Sequence, residues 1–226
     1  MQYQSFTIPH SGKKRNGDHF HLQKFEKERL LVAAVADGVS GQPCDWRASE
    51  MACTYFFQYF ESGLGLTRNI PHNIEQSVLS TQLSIIEENR ECKGMAATFS
   101  LVVWPYETDK LYWCNIGDSR IYTVLHDNVT CITKDDSITS PSGHSLLTQC
   151  LGKGGLKFEV KQAEMKPGQT IMLCSDGFYN SRKASLNSKL IAFANTENFE
   201  SDFLELTKDF SMLRGDDLTV VAIKNE

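Results

Sequence analysis

The sequence lacks the patterns that mark several specialised classes of protein. No apolar run approaches the length of a membrane span, and the N-terminus has no basic segment followed by an apolar one. Basic residues do not dominate either, since 23 Lys and Arg stand against 28 Asp and Glu, for a formal net charge of −5. We therefore expect no membrane partner, no nucleic-acid partner and a cytoplasmic location.

Paired cysteines are also missing. The seven cysteines form no Cys-x-x-Cys pair, so the sequence predicts neither a zinc site nor a disulfide framework. Cys114, Cys131 and Cys174 stand in apolar runs, and we predict that they are buried thiols.

What is present is an ordinary globular composition. The chain has 226 residues, of which 41% are hydrophobic and 23% charged. This is enough to bury a large core, and there is no internal repeat or clear linker. We predict a single domain over residues 1–226, acting as a monomer.

The periodicity of apolar residues predicts a mixed order of strands and helices. The predicted strands cover residues 1–10, 18–22, 30–36, 97–104, 110–116, 119–125, 129–133, 158–163, 170–174 and 218–223. The predicted helices cover 45–59, with Asp45 as N-cap, and 69–90, 184–194 and 199–213, while 134–144 is a loop and 145–151 a short helix or turn. This order favours an α+β fold with helices outside stacked antiparallel sheets over a βαβ winding.

Five aspartates share one context, beside a glycine and at the edge of a predicted strand. They are Asp18, Asp37, Asp118, Asp176 and Asp216. Each one alone is typical of a turn. Strand ends of a stacked core can converge, however, and converging carboxylates repel each other unless cations lie between them. Oxygen ligands of this kind favour Mg²⁺ or Mn²⁺ over zinc.

A pair of such ions bridged by one water makes hydroxide available near neutral pH and stabilises in-line displacement at phosphorus. That chemistry needs a cationic anchor for the phosphate. Lys13, Lys14 and Arg15 precede Asp18 and are the candidates. Without Asp18 beside them they would be a solvated basic loop.

The motifs form an ordered set over nearly the whole chain. They are Lys13-x-x-Asn16-Gly17-Asp18, Ala36-Asp37-Gly38, Gly94-Met95-Ala96-Ala97-Thr98, Ile116-Gly117-Asp118-Ser119-Arg120, Lys134-Asp135-Asp136, Ser175-Asp176-Gly177 and Gly215-Asp216-Asp217. With these motifs the chain resembles the metal-dependent serine/threonine protein phosphatases of the PP2C class, compact bacterial type. The resemblance implies an αββα sandwich, two stacked antiparallel sheets flanked by helix pairs, with metals at one end.

The resemblance also implies individual roles. Asp37 would bridge two metals, with the Gly38 carbonyl on one of them, while Asp176 and Asp216 would ligate the first ion. Asp18 would act at the second ion through water, and Asp118 at a third, weaker site. Asp217 stands where the family often has Asn, and we interpret it as support. The catalytic set would be Asp37, Asp176 and Asp216, with Lys13 or Arg15 on the phosphate.

Two departures from the family pattern leave alternatives open. Lys13 replaces the usual Arg, so bidentate binding of the phosphate is lost unless Arg15 provides it. The flap over residues 137–143 is short, which puts substrate preference in doubt. The resemblance implies hydrolysis of phosphoserine and phosphothreonine in proteins by a metal-bridging hydroxide, with a serine/threonine kinase as counterpart. The alternatives are a pseudophosphatase that only binds phosphopeptides and a two-metal hydrolase of another phosphomonoester.

Overall fold

Twelve strands and five α-helices follow one another along the described part of the chain. The computed structural model describes residues 1–89, 92–140, 145–212 and 215–226. The strands are β1 (Gln2–Ile8), β2 (Asp18–Phe25), β3 (Leu30–Asp37), β4 (Phe99–Pro105), β5 (Lys110–Ile116), β6 (Arg120–Leu125), β7 (Asn128–Cys131), β8 (Ser137–Thr139), β9 (Ser145–Leu147), β10 (Lys161–Glu164), β11 (Thr170–Cys174) and β12 (Leu218–Lys224). The helices are α1 (Asp45–Leu64), α2 (Ile70–Glu88), α3 (Asp176–Ser181), α4 (Leu186–Ala194) and α5 (Phe199–Ser211).

The strands form two five-stranded antiparallel sheets and one small hairpin. One sheet has the order β1-β12-β11-β6-β7, the other has the order β10-β5-β4-β3-β2, and β8 pairs with β9. The neighbouring strands of each sheet pair antiparallel. The predicted α+β class is therefore confirmed.

Three clusters of buried apolar residues define four layers. The central cluster joins the two sheets, with Leu31 and Trp104 from one and Leu173 and Ile223 from the other. A second cluster packs α1 and α2 on the outer face of the β2–β5 sheet, and a third packs α3, α4 and α5 on the other sheet. The layers are thus helix, sheet, sheet, helix, because each sheet has two apolar faces to bury.

The two-faced burial explains the composition of the central strands. β3 reads LLVAAVAD and is buried from its first residue to the last before its carboxylate. A strand covered on both faces carries a continuous apolar run, and its only polar residue stands where the strand leaves the core. Asp37 therefore lies at one end of the sandwich.

Several predicted elements need correction. The first helix begins after Cys44, which occupies the N-cap position in the left-handed region, so Asp45 is the first helical residue and not the cap. The predicted loop 134–144 contains β8, and the predicted helix or turn 145–151 begins with β9. Both strands are three residues long and depend on each other, a pairing that local sequence does not reveal.

The remaining differences lie at element boundaries and in α3. A strand was predicted over 158–163, whereas the observed strand, β10, runs from Lys161 to Glu164. Helix α3 follows Ser175 at once and was not predicted, since six residues are too few for an apolar period. The predicted helix ends at residues 90 and 213, and part of the predicted flap, lie outside the described residues.

The cysteines differ from prediction in two ways. Cys44 and Cys92 form a disulfide, with a Cα–Cα distance of 6.2 Å, although their separation of 48 residues gave no signal. Cys114 and Cys174 are buried as predicted, but Cys131 is exposed because β7 is an edge strand.

No helix in the described ranges is both long and apolar enough to cross a membrane.

Candidate metal and phosphate site

Asp18 and Asp37 face each other across the first strand pair of the site. Asp18 opens β2, Asp37 closes β3, and the antiparallel register pairs the two residues directly. Asp18 is only 4% exposed. Its Oδ2 accepts a hydrogen bond of 2.6 Å from the Ser175 hydroxyl, which in turn accepts one from the Thr219 amide at 3.0 Å. The two sheets are therefore joined at this carboxylate.

The main chain of Asp37 is fixed by Thr98. The Asp37 amide donates to Thr98 Oγ1 at 2.9 Å, and the Thr98 amide donates to the Asp37 carbonyl at 2.8 Å. Thr98 Oγ1 also shares a hydrogen bond of 2.7 Å with Ser119 Oγ, next to Asp118. A buried chain of hydroxyls thus holds the turns that carry two of the predicted site residues.

Gly38 allows helix α1 to start beside Asp37. A Cβ built on Gly38 would lie 2.2 Å from the carbonyl oxygen of Asp45. Real Cβ atoms do not approach backbone so closely, so only glycine permits this contact. The requirement explains the Asp-Gly pair in packing terms.

Asp176 and Asp216 come from neighbouring strands of the other sheet. Asp176 follows β11 as the first residue of α3, and Asp216 lies just before β12, which pairs with β11. A Cβ on Gly177 would lie 1.9 Å from the carbonyl oxygen of Asp217, so the two turns pack at glycine distance. The structure brings these two predicted residues to the same end of the sandwich as Asp18 and Asp37.

The carboxylates perturb each other's protonation. Burial raises the pKa of Asp18 to about 7, and burial with the nearby Asp216 and Asp118 charges raises the pKa of Asp176 to about 6. The pKa of Asp37 lies well above its ordinary value because of burial and then the charges of Asp18 and Asp176. A group of acids with raised pKa values binds either protons or cations.

The donor set fits a hard divalent cation. Among the described residues, no group of three or more His, Cys, Asp or Glu side chains is arranged so that it could already hold a metal ion. The same residues nevertheless leave Asp18 Oδ1 and Asp176 Oδ1 buried without a hydrogen-bond partner. Buried carboxylate oxygens are costly when unpaired, and oxygen-only donors are the ligands that Mg²⁺ and Mn²⁺ prefer.

Asp118 lies at the edge of this group. Its carbonyl accepts a hydrogen bond of 3.0 Å from the Tyr179 hydroxyl, and the Arg120 guanidinium lies 3.8 Å from the centre of the Tyr179 ring. Arg120 also holds Asp135 through two hydrogen bonds, of 3.0 and 2.8 Å. Burial and then the Asp135 charge raise the pKa of Asp118.

Lys13 is engaged inside the protein. Its Nζ lies 2.7 Å from Asp217 Oδ2 and 3.4 Å from Asp216 Oδ1. Asp217 is 2% exposed and also accepts the amides of His10 and Gly17, each at 2.7 Å. Through these contacts, Asp217 connects the N-terminal loop to the turn before β12. We predicted a supporting role for Asp217, and these contacts are structural ones.

Arg15 contacts the first turn of α1 instead. It is exposed, and its guanidinium carbon lies 4.1 Å from the centre of the Trp46 ring in the first turn of α1. Stacking on an aromatic ring orients a guanidinium while leaving its N–H groups available. Trp46 and Ser175 are site residues that the sequence did not single out, because each acts through a partner distant in the chain.

The comparisons with known proteins agree with this arrangement. A sequence model described as protein phosphatase 2C matches residues 10–216. A putative protein phosphatase 2C-type protein of Streptococcus pyogenes is 23% identical over 95% of this chain and 94% of its own length. The serine/threonine phosphatase stp of Listeria innocua is 22% identical over 88% of this chain and 86% of its own.

Solved structures share the fold. The serine/threonine phosphatase PstP/Ppp of Mycobacterium tuberculosis superposes with a TM-score of 0.78 at 20% identity, covering 100% of this chain and 99% of that one. A catalytic domain of PstP in complex with two manganese ions gives 0.75 at 20% identity, covering 98% and 96%. The predicted sandwich of two sheets and flanking helices is confirmed.

Proposed function

The chain belongs to the protein phosphatase 2C family, and we propose that it is a metal-dependent phosphatase of phosphoserine and phosphothreonine in proteins. One observation carries the proposal. Asp18, at the start of β2, and Asp176, at the start of α3, each have a buried carboxylate oxygen without a hydrogen-bond partner, and the charges of both raise the pKa of Asp37. Serine/threonine phosphatases among the relatives support the substrate class.

The metals would be held by oxygen donors alone. The proposed ligands are Asp37, the Gly38 carbonyl, Asp176 and Asp216 for two core Mg²⁺ or Mn²⁺ ions, Asp18 at the second ion, and Asp118 at a weaker third. When bound, such ions acidify water and neutralise charge on a phosphoryl group. A solved relative in complex with two manganese ions supports the number of core ions.

The protein's own contribution is to hold these oxygens before substrate arrives. Ser175 orients Asp18, and Thr98 fixes the main chain of Asp37 from both sides. Because the hydroxyls are buried, the carboxylates are restricted to few orientations. Preorganised ligands of this kind reduce the reorganisation needed when charge develops on the phosphate.

We assign the phosphate anchor to Arg15 and a structural role to Lys13. The ammonium of Lys13 is already neutralised by the nearly buried Asp217, whereas Arg15 is exposed and oriented by Trp46. A guanidinium offers paired N–H donors that match two phosphate oxygens, which an ammonium does not. The residue lost at Lys13 relative to the family pattern is thereby replaced two positions later.

We propose a cytoplasmic monomer whose single domain spans residues 1–226, with phosphorylated proteins as substrates and a serine/threonine kinase as the opposing enzyme.

The decisive experiment measures hydrolysis of a phosphothreonine peptide with Mn²⁺, Mg²⁺ or EDTA, for the wild type and for Asp37→Asn and Asp176→Asn. Asp127→Asn, in an exposed turn, is the matched control. Metal-dependent turnover that both site variants abolish and the control retains is the expected result. Absence of turnover with every metal, in folded protein that still binds the peptide, would indicate a pseudophosphatase instead.

A further inference from the structure

A cavity opens beside the turn that carries Asp118, at the edge of the proposed metal site. It has a volume of about 570 Å³ and lies where β5, β10 and the start of β8 meet. One wall is Asp136, which accepts the amide of Gly117 at 3.1 Å and donates its own amide to the Gly117 carbonyl at 2.9 Å. Since Gly117 precedes Asp118, the cavity wall is hydrogen-bonded directly to the turn that carries Asp118.

Three lysines line this cavity, and all three are exposed: Lys134, Lys157 and Lys161. Its acidic groups are largely engaged, because Asp135 is held by Arg120 through two hydrogen bonds and Asp136 by the amide of Gly117. Only Glu159 is both acidic and exposed, at 4.0 Å from Lys161. Three lysines and three acids line the cavity, but Arg120, which lies outside the lining, neutralises Asp135. The three lysines therefore face the charges of Asp136 and Glu159 alone, which leaves one positive charge in excess.

Two aromatic side chains of the cavity, Trp113 and Phe158, form the apolar surroundings of Lys161. Trp113 is 8% exposed, and Lys161 Nζ lies 5.1 Å from the centre of its ring. Phe158 adds a partly buried apolar side chain. The ring face attracts the Lys161 ammonium and orients it. An anion that pairs with this ammonium beside the two apolar side chains would have less water around it than on an open surface, so the attraction would be less screened.

We propose that this cavity is a substrate subsite that binds a second anionic group of the phosphoprotein, near the residue being dephosphorylated. The inference rests on the proposed phosphatase function and defines its substrate class more narrowly. A carboxylate and a second phosphate share the chemistry that the three lysines recognise. The enzyme would then prefer phosphorylated segments with acidic or doubly phosphorylated sequence over neutral ones.

The test compares phosphothreonine peptides that differ at one position, scanned on either side, carrying Gln, Glu or phosphoserine. The wild type should show kcat/KM about fivefold higher for the acidic peptide at the best position. Lys157→Gln/Lys161→Gln should bring the ratio of acidic to neutral peptide close to one. Lys208→Gln removes an exposed lysine of α5 away from the cavity and should keep the wild-type ratio. The Glu and phosphoserine arms separate the two sources of negative charge.

Charge reversal gives a sharper outcome. Lys157→Glu/Lys161→Glu should invert the preference toward peptides with Lys at the same position, and the wild-type preference should weaken as salt increases. A wild-type ratio of one at every position, or an unchanged ratio in the double variants, would overturn the subsite.

Binding separates this inference from the proposed function. Fluorescence anisotropy with labelled acidic and neutral phosphopeptides measures the same preference without turnover. If the wild type hydrolyses no peptide but still binds the acidic one more tightly through Lys157 and Lys161, the phosphatase assignment fails and the subsite stands. If it hydrolyses both peptides equally and binds them equally, the subsite fails alone.

Discussion

Asp217 differs from the other carboxylates of the site because the protein already balances its charge. It accepts the amides of His10 and Gly17 and pairs with Lys13, while it is almost fully buried. A Cβ on Gly17 would lie 2.8 Å from Asp217 Oδ2, so a side chain at that position would collide with this carboxylate. The charge of Asp217, the glycine at position 17 and the lysine at position 13 therefore depend on one another.

Lys13 and Arg15, two cations of the N-terminal loop, are expected to affect different properties of the protein. Lys13→Met removes the ammonium from a buried carboxylate and should lower the free energy of unfolding by about 2 kcal/mol. Arg15→Ala removes the exposed guanidinium that we propose as the phosphate anchor, and it should instead lower kcat/KM for a small phosphate ester about tenfold at unchanged stability. Urea denaturation and steady-state kinetics measure the two effects.

Lys14→Met is the control for both, since Lys14 is exposed between them and should change stability by less than about 0.5 kcal/mol. A full loss of phosphate binding in Lys13→Met with Arg15→Ala unaffected would reverse the assignment.

Ser175 is expected to act through Asp18. Ser175→Ala deletes the donor to Asp18 Oδ2, and outer-shell partners of this kind typically contribute 10–100-fold to metal affinity. We expect a Kd for Mn²⁺ higher by about tenfold or more in titration calorimetry. Ser181→Ala, whose hydroxyl donates to the Phe178 carbonyl within α3, should leave the Kd unchanged. Equal affinities in the two variants would contradict the role.

The single residues show where sequence analysis succeeds. The aspartates were predictable, because a carboxylate at the end of an apolar strand is a local signal. Their partners were not, since Ser175 is 157 residues from Asp18 and Asp217 is 200 residues from Gly17. Such pairs form only when the two sheets are stacked, and no spacing rule reports them.

At the scale of elements, α1 is positioned by its contact with Gly38. Gly38→Ala would drive a Cβ into the carbonyl of Asp45, so either the helix or the turn carrying Asp37 must move. We expect destabilisation of about 1–3 kcal/mol together with loss of activity. Gly154→Ala is the control, because its Cβ would enter open space and should leave both unchanged. Thermal unfolding and peptide hydrolysis check this, and a normally active Gly38→Ala would refute it.

The disulfide between Cys44 and Cys92 also constrains the chain at the start of α1. It links the residue before α1 to the segment that leads to β4, and thereby limits the unfolded chain. For a loop of this length the stabilisation is about 4 kcal/mol on chain entropy alone. Reductant should shift the urea midpoint of the wild type to that of Cys44→Ala/Cys92→Ala, which should itself be insensitive to reductant. A midpoint indifferent to reductant would show that the pair stays reduced in solution.

The elements themselves were predictable in proportion to their length. β3 carries a continuous apolar run and α2 a long periodic pattern, and the structure places both close to their predicted bounds. β8, β9 and α3 are short and owe their conformation to neighbours, so propensity could not identify them. The Cys44–Cys92 pair likewise depends on the packing of α1 against α2.

For the whole molecule, the four-layer stack places the acids of both sheets at one end. Repulsion between them is then a cost to the fold that a bound cation would remove. We expect Mn²⁺ at 100 times its Kd to stabilise the protein by about 2.7 kcal/mol and to raise Tm by roughly 5–10 °C. EDTA should abolish the shift in differential scanning fluorimetry.

The same scan on variants separates specific binding from general screening. Asp37→Asn and Asp176→Asn should lose most of the shift, and Asp127→Asn should keep it. An equal shift in all four proteins would mean that the ion acts elsewhere.

The disulfide also changes the connectivity of the polypeptide. With Cys44 joined to Cys92, residues 44–92 form a covalent ring that encloses both α1 and α2. The turn between these helices, around residues 65–69, is exposed and is the natural place for a protease to cut. A single cut there opens the ring but releases no fragment, so the nicked protein keeps both helices and the turn carrying Asp37 in one molecule.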